Sequence, residues 1–420
     1  MTVKVYPFKA EGAVAAPPSK SFAHRFLIAA ALKKGRTVIK NIGSSADVMR
    51  TCDCLTALGA KITLENGNAV VKGIEKNFGE EVVVLNAGES GSTLRFLMPV
   101  VAALGVKAKF VCEKSLFSRP MDELIAVLGE HGAKTEKLAD GYSVSGKIRS
   151  GEYVLSGGVS SQYASGLAFA LPLLPCESSI AFTDELVSKS YFDMTCSVLA
   201  FAGIEYKKEG YKSIIEGEYD YNLPDEIVCD GDFSATAYLL CLGAICGDVT
   251  VTGVKKDGQG DGKITEILKN IGAEVITGEN CVRVKKRKIN PAEIDCSSVP
   301  DLVPALCAVL CYADGKSVLK GVSRLKYKES DRVKACVEMC GKLGVAAKLS
   351  GDNLIISGGN PKGRAELNGY GDHRMVMAGV IAAAGLKEAC RITDAEKVDK
   401  SYPDFFGTVT CLGGKIDVSV

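Results

Sequence analysis

Histidine is scarce: His24, His131 and His373 are the only three in 420 residues, and they stand far apart in sequence. Paired zinc-type Cys and His spacings are missing too, so no metal site is expected. Neither sign of charge is in excess. With 51 Lys and Arg against 50 Asp and Glu the chain carries +1, which disfavours a nucleic-acid backbone or an anionic membrane as a bulk electrostatic partner. Long apolar runs are absent, since Leu167 to Pro175 and Val376 to Leu386 are too short to cross a bilayer. The opening Met1-Thr2-Val3-Lys4-Val5-Tyr6-Pro7 lacks an apolar signal core, and a cytoplasmic protein is the expectation. Cysteine, at sixteen, is not lacking; Cys241, Cys246, Cys307 and Cys311 lie in apolar stretches and read as small, reduced core residues.

What is present is repetition. A helix end turning into a strand occurs six times, around Gly59, Gly132, Gly203, Gly272, Gly344 and Gly413, at intervals of 73, 71, 69, 72 and 69 residues. Glycine just past a helix and before an extended run is the expected helix stop. A second phrase keeps step with the first. Small or polar residues at Ser21, Gly91, Ser161, Asp232, Asp301 and Asp372 open Ala-, Leu- and Val-rich stretches that predict buried helices. Short alternating runs, such as Asn280 to Lys286 and Asn353 to Ser357, predict half-exposed strands. The chain therefore divides into six α/β units. Their period is too long for the turn of a solenoid, and the length suits two domains of three units each.

Positive charge gathers at unit edges although the chain as a whole is neutral. Lys20 and Arg25 follow Pro17-Pro18-Ser19 at the start of the first buried stretch; Arg119 precedes Pro120; Lys326-Tyr327-Lys328-Glu329-Ser330-Asp331-Arg332 is one dense segment; Arg374 and Lys400 lie in the last unit. Helix N-termini offer free amides and the positive end of the macrodipole, and Arg adds a bidentate grip on phosphate or carboxylate. A small, multiply anionic substrate is the expectation.

Each segment also has a plainer reading. Lys328 and Arg332 could be solvated helix charges paired with Glu329 and Asp331, and Gly88 to Thr93 could be a simple turn. Ser160-Ser161-Gln162 could be a capping device only, Asp301 an acid favoured by a helix dipole, and His24 and His373 structural. The run Asp257 to Ile264 fails the phosphate-loop pattern and reads as a surface turn.

Together the segments resemble the 5-enolpyruvylshikimate-3-phosphate synthase family. The match spans nearly the whole chain. It rests on Pro18-Ser19-Lys20-Ser21 with Arg25, Gly88 to Arg95, Arg119-Pro120, Ser160-Ser161-Gln162, Ser188-Lys189, Lys328 to Arg332, Asp372-His373-Arg374 and Lys400 to Asp404, all in the family's order. The resemblance implies a two-domain enolpyruvyl transferase fold of βαβαββ-type units, with residues 20–230 as the first domain and residues 1–19 with 231–420 as the second. It places the active site in the cleft between them. The implied reaction moves the enolpyruvyl group of phosphoenolpyruvate to the 5-hydroxyl of shikimate 3-phosphate in aromatic amino acid biosynthesis, by a monomer and without a cofactor.

By the same resemblance Asp301 takes the hydroxyl proton, while Glu329 and Lys20 are both candidates for protonating the enolpyruvyl carbon. Shikimate 3-phosphate is assigned to Lys20, Ser21, Arg25, Ser160, Ser161, Gln162, Ser188, Asp301 and Lys328, the first domain being mainly its side. Phosphoenolpyruvate is assigned to Lys20, Gly91, Arg119, Gln162, Arg332, Arg374 and Lys400, with Gly91 leaving room for sensitivity to glyphosate.

Two departures stand out. Glu89-Ser90 replaces an Asn-Ala often found there, and Arg324 stands where relatives sometimes place an Asn, so it is left outside the site. The alternatives are the sister transferase acting on UDP-N-acetylglucosamine, or an anion-binding relative that has lost the chemistry. The sister family carries a reactive Cys where this chain has Lys114, and Lys20, Asp301 and Glu329 are all retained.

Overall fold

The computed structural model describes residues 1–75, 78–158, 160–255 and 259–419. The chain folds as two compact units, one made of Met1–Pro17 with Asp230–Val420 and the other of Pro18–Cys229. Each unit has its own apolar core.

Six four-stranded sheets, three in each unit, carry out one plan. In the sheet ordered Val83–Gly88, Ala108–Cys112, Gly141–Ser145, Lys134–Leu138, the first pair is parallel and the next two are antiparallel. The remaining five repeat that pattern. Three strands come from distant parts of the chain. Glu226–Val228 lies parallel to Arg36–Lys40, Ala10–Ala15 lies parallel to Gly247–Thr252, and Thr2–Tyr6 sits between Cys390–Ile392 and Lys415–Ser419. The first residues of the chain thus complete sheets built mainly from its second half.

The expected buried helices run Lys20–Leu32, Gly91–Leu104, Ser161–Ala170, Phe233–Cys246, Val303–Leu310 and His373–Ala384. Phe233–Cys246 is buried at every position, as a helix apolar on all sides must be. The capping side chains are Ser19, Ser90, Ser160, Asp232 and Asp372, each accepting a backbone N–H of the first turn. The fifth opening differs: Pro300–Leu302 forms a 3-10 turn ahead of Val303, and Asp301 sits on that turn rather than in a capping position.

The six helix-stop glycines have φ between 74° and 110°, the left-handed region open to glycine, and each leads into an edge strand. Of the turn expected over 257–264, Asp257 and Gly258 lie outside the described residues. The rest is no surface turn, because Gln259 and Asp261 are buried. Gln259 accepts from the Phe233 amide and donates to Asp232 and Ser234, so the segment packs onto the start of the buried helix and is withdrawn from water.

Candidate active site

Within the unit Pro18–Cys229, the charged and polar groups gather at the starts of the buried helices. Lys20 is the first residue of its helix, and its Nζ lies 2.9 Å from the carboxylate of the buried Asp47. Arg25, one turn on, is sunk to 2% exposure. It donates from Nε to Thr195 (2.8 Å), from Nη1 to the Ser21 carbonyl (2.8 Å) and from Nη2 to the Tyr191 carbonyl (2.7 Å). Its guanidinium also stacks 4.9 Å from the Phe96 ring centre. Burial pulls it down to about 10, still well above neutrality. Ser188, just ahead of the helix that carries Tyr191 and Thr195, holds a left-handed backbone with φ 55°, unusual for a residue with a side chain.

The second buried helix is entered through a bulge at Asn86–Gly88. The Ser90 hydroxyl accepts from the Thr93 amide and stands 2.7 Å from Thr93 Oγ1. A hydroxyl chain continues inward from Thr93 to Thr51 (2.7 Å) and on to His24 Nδ1 (2.7 Å). Burial drives His24 down to about 3, so it is neutral at physiological pH. Gly91 opens the helix against Arg119: a Cβ built on Gly91 would lie 2.9 Å from Arg119 Nη1. Ser160 and Ser161 begin the third buried helix. Gln162 is held at both ends of its amide, accepting from Arg95 Nη1 at 2.7 Å and donating to Ser92 at 3.0 Å.

In the other unit, five of the expected residues form one network. Asp301 Oδ1 lies 2.8 Å from Arg332 Nη1 and 3.3 Å from Lys328 Nζ, and its Oδ2 lies 3.1 Å from Arg374 Nη2. Burial alone would push the Asp301 carboxyl up, but Arg374, Lys328 and Arg332 outweigh it and hold the group well below the usual carboxylate range. Arg332 is 1% exposed and also binds Glu329 at 2.7 Å and Asp372 at 2.8 Å. Asp372 in turn caps the helix His373–Ala384 through the Arg374 amide and accepts from Ser330. Lys400, also buried, ends the 3-10 segment Ala395–Lys400 that packs against that helix.

The pairing of Arg332 with Glu329, raised as an ordinary alternative, is therefore real, but it is buried and shared with Asp301 and Asp372. Sequence reasoning passed over Asp47, Arg95, Thr195 and the ionic role of Asp372. It also left out Arg324, which donates to the Ser297 carbonyl at 3.1 Å and feels the charge of Asp301. One signal was available. Lys20–Asp47, His24–Thr51, Asp232–Gln259, Ser234–Asp261 and Ser297–Arg324 are all pairs 27 residues apart, an offset shared by three of the six repeats.

Among the described residues no group of three or more His, Cys, Asp or Glu could hold a metal. What the two sets offer chemically is cationic grips for anions and, in the second, the Asp301 carboxylate held among three cations.

The repeated sheets and buried helices define an enolpyruvyl transferase fold. Over full length the chain superposes on the EPSP synthase from Acinetobacter baumannii with a TM-score of 0.83 at 23% identity, each chain covered at 100%. The enolpyruvyl transferase NikO from Streptomyces tendae superposes at 0.79 and 16%, covering 99% of this chain and 98% of that one. Within that class, residues 6–409 match the family model for EPSP synthase (3-phosphoshikimate 1-carboxyvinyltransferase). The 3-phosphoshikimate 1-carboxyvinyltransferase of Clostridium kluyveri is 38% identical over 99% of this chain and 98% of its own length, and that of Clostridioides difficile is 35% identical with the same coverage. The chain belongs to the EPSP synthase family.

Proposed function

We propose that this protein transfers the enolpyruvyl group of phosphoenolpyruvate to the 5-hydroxyl of shikimate 3-phosphate, releasing phosphate and giving 5-enolpyruvylshikimate 3-phosphate. The observation that carries the reading is the Asp301 carboxylate, ionised and ringed by Arg332, Arg374 and Lys328, in a chain of this family.

The enolpyruvyl carbon must gain a proton at its methylene while the hydroxyl oxygen adds to the neighbouring carbon. The tetrahedral adduct then loses phosphate and a methyl proton. Asp301 accepts the hydroxyl proton, and Glu329 or Lys20 supplies the proton to the methylene. As paired in this structure Asp301 is a weak base. An anionic substrate that takes up Arg374 and Lys328 would weaken their hold on it and raise its basicity where the hydroxyl arrives.

Phosphoenolpyruvate is held by Lys20, the Gly91 amide, Arg119, Gln162, Arg332, Arg374 and Lys400. Shikimate 3-phosphate is held by Lys20, Ser21, Arg25, Ser160, Ser161, Gln162, Ser188, Asp301 and Lys328. The fixed amide of Gln162 and the family membership support these assignments. The first domain, 20–230, serves mainly shikimate 3-phosphate, and 1–19 with 231–420 contributes groups that bind phosphoenolpyruvate and act in catalysis.

A cytoplasmic monomer is the accompanying proposal. No helix among the described residues is long and apolar enough to cross a membrane, and all sixteen cysteines are free thiols.

The test is phosphate release by the purified protein, with each substrate omitted in turn and no metal added. Release only when both are present is expected. Release with UDP-N-acetylglucosamine as the sole working acceptor would transfer the reading to the sister enzyme. Asp301→Asn should lower kcat at least about 100-fold while shikimate 3-phosphate still binds; turnover within a few-fold of wild type would remove Asp301 from its role.

A further inference from the structure

Four cysteines that the chemistry above does not use lie together behind the ionic network. Cys307 lies in the helix Val303–Leu310 and Cys311 directly follows that helix; Cys336 and Cys340 lie in the helix Arg332–Lys342. Each pair is spaced by four residues and so shares one helix face. All four are 0% exposed. The sulfurs of Cys311 and Cys340 are 3.6 Å apart, and Cys336 donates toward the Met375 sulfur at 4.0 Å. The four do not make a metal site. They make a buried cluster of thiols in which the Cys311–Cys340 contact joins the end of the helix Val303–Leu310 to the helix Arg332–Lys342.

We propose that Cys311 and Cys340 are a site of reversible oxidation, closing to a disulfide in response to a small peroxide. The sulfurs are already in contact at 3.6 Å, and a disulfide needs them about 2 Å apart. Cys340 is the sulfur oxidised first. The Cys311 sulfur is in hydrogen-bond contact with it, and that contact, with Cys307 close by, favours the thiolate at Cys340.

The Cys340 thiolate attacks one peroxide oxygen. An S–O bond forms, the O–O bond breaks, and with hydrogen peroxide the departing hydroxide takes a proton to leave as water. Cys311 sulfur then attacks Cys340 sulfur, forming S–S, breaking S–O and releasing a second water. Two thiols lose two electrons and two protons, and the peroxide is reduced to two waters. A dithiol reverses the step by exchange.

The link would join the two helices at their ends remote from Asp301 and Arg332. Asp301 is roughly 15 Å up one helix from Cys311 at about 1.5 Å per residue. Its effect is to staple a helix pair whose opposite ends carry the ionic network, over a chain separation of 29 residues. Shortening the accessible conformations of the unfolded chain should raise thermal stability.

The experiment treats the purified full-length protein with stoichiometric hydrogen peroxide, alkylates free thiols under denaturing conditions, and maps the non-reduced peptides. A Cys311–Cys340 linked peptide is expected, with a rise in Tm of roughly 5 °C. Both should vanish with dithiothreitol and in Cys340→Ala. Recovery of Cys311 and Cys340 as alkylated thiols, at a peroxide dose that has consumed the exposed Cys176 and Cys411, overturns the proposal. So does a link from Cys340 to Cys307. The wild-type map decides the question even if the variant fails to fold.

Discussion

Arg332 shows what one side chain can organise. Its planar fork reaches Asp301, Glu329 and Asp372 at once, and Asp372 is fully buried. Removing it strands buried carboxylates, so Arg332→Ala should destabilise its unit by about 3–5 kcal/mol, read from urea unfolding. A loss below about 1 kcal/mol would mean that water already reaches the network. His24 makes a prediction of a different kind. Its folded value of about 3 lies below the ordinary 6.5, so the unfolded chain binds the proton first as pH falls. Its contribution is intact above pH 6.5 and drains away toward pH 3, at about 1.4 kcal/mol per pH unit. Unfolding free energies measured from pH 7 to pH 4 should fall less steeply in His24→Gln than in wild type; equal slopes would show that other groups carry the acid sensitivity. The identities of Arg332 and of its neighbours Lys328 and Glu329 were legible in the sequence as a charged cluster. That the cluster closes on Asp301 was not, because that residue lies about thirty positions away on a different turn.

At the scale of elements, the helix starts carry the meaning. Gly91 meets Arg119 so closely that a methyl group there must displace the guanidinium, whose flexible stem permits it to move. Gly91→Ala should therefore fold, yet raise KM for phosphoenolpyruvate by about 10-fold, as the weakening of one charge-assisted contact implies. Wild-type turnover is expected to fall with glyphosate when phosphoenolpyruvate is near its KM; undiminished turnover at saturating glyphosate would contradict that. The helix openings were readable from Ser, Asp and Gly in step with the repeat, because capping is local chemistry. The fifth opening broke the pattern, with Pro300 forming a 3-10 turn that carries Asp301. The segment around Gln259 was misread for a related reason, since polar residues pack inward there to satisfy a helix end.

For the whole molecule, the two units each hold part of the proposed set, Lys20, Arg25, Gly91, Arg119 and Gln162 in one and Asp301, Glu329, Arg332, Arg374 and Lys400 in the other. If both sets serve one pair of substrates, as proposed, closure of the two units on the anionic ligands is the expectation, since an anion offsets the repulsion between like charges. Small-angle scattering should then show the radius of gyration falling when shikimate 3-phosphate is added; an unchanged value would count against closure.

The sequence alone determined the six repeats, their helices and stops, the neutral overall charge and the local clusters of Arg, Lys and Asp, because periodicity, capping and turn chemistry act over a few residues. Tertiary structure decided that Thr2–Tyr6 and Ala10–Ala15 complete sheets of the second half, that Lys20 meets Asp47, and that three cations converge on Asp301. Strand pairing and ion pairing join residues tens to hundreds of positions apart, and only the packed chain brings their atoms within reach.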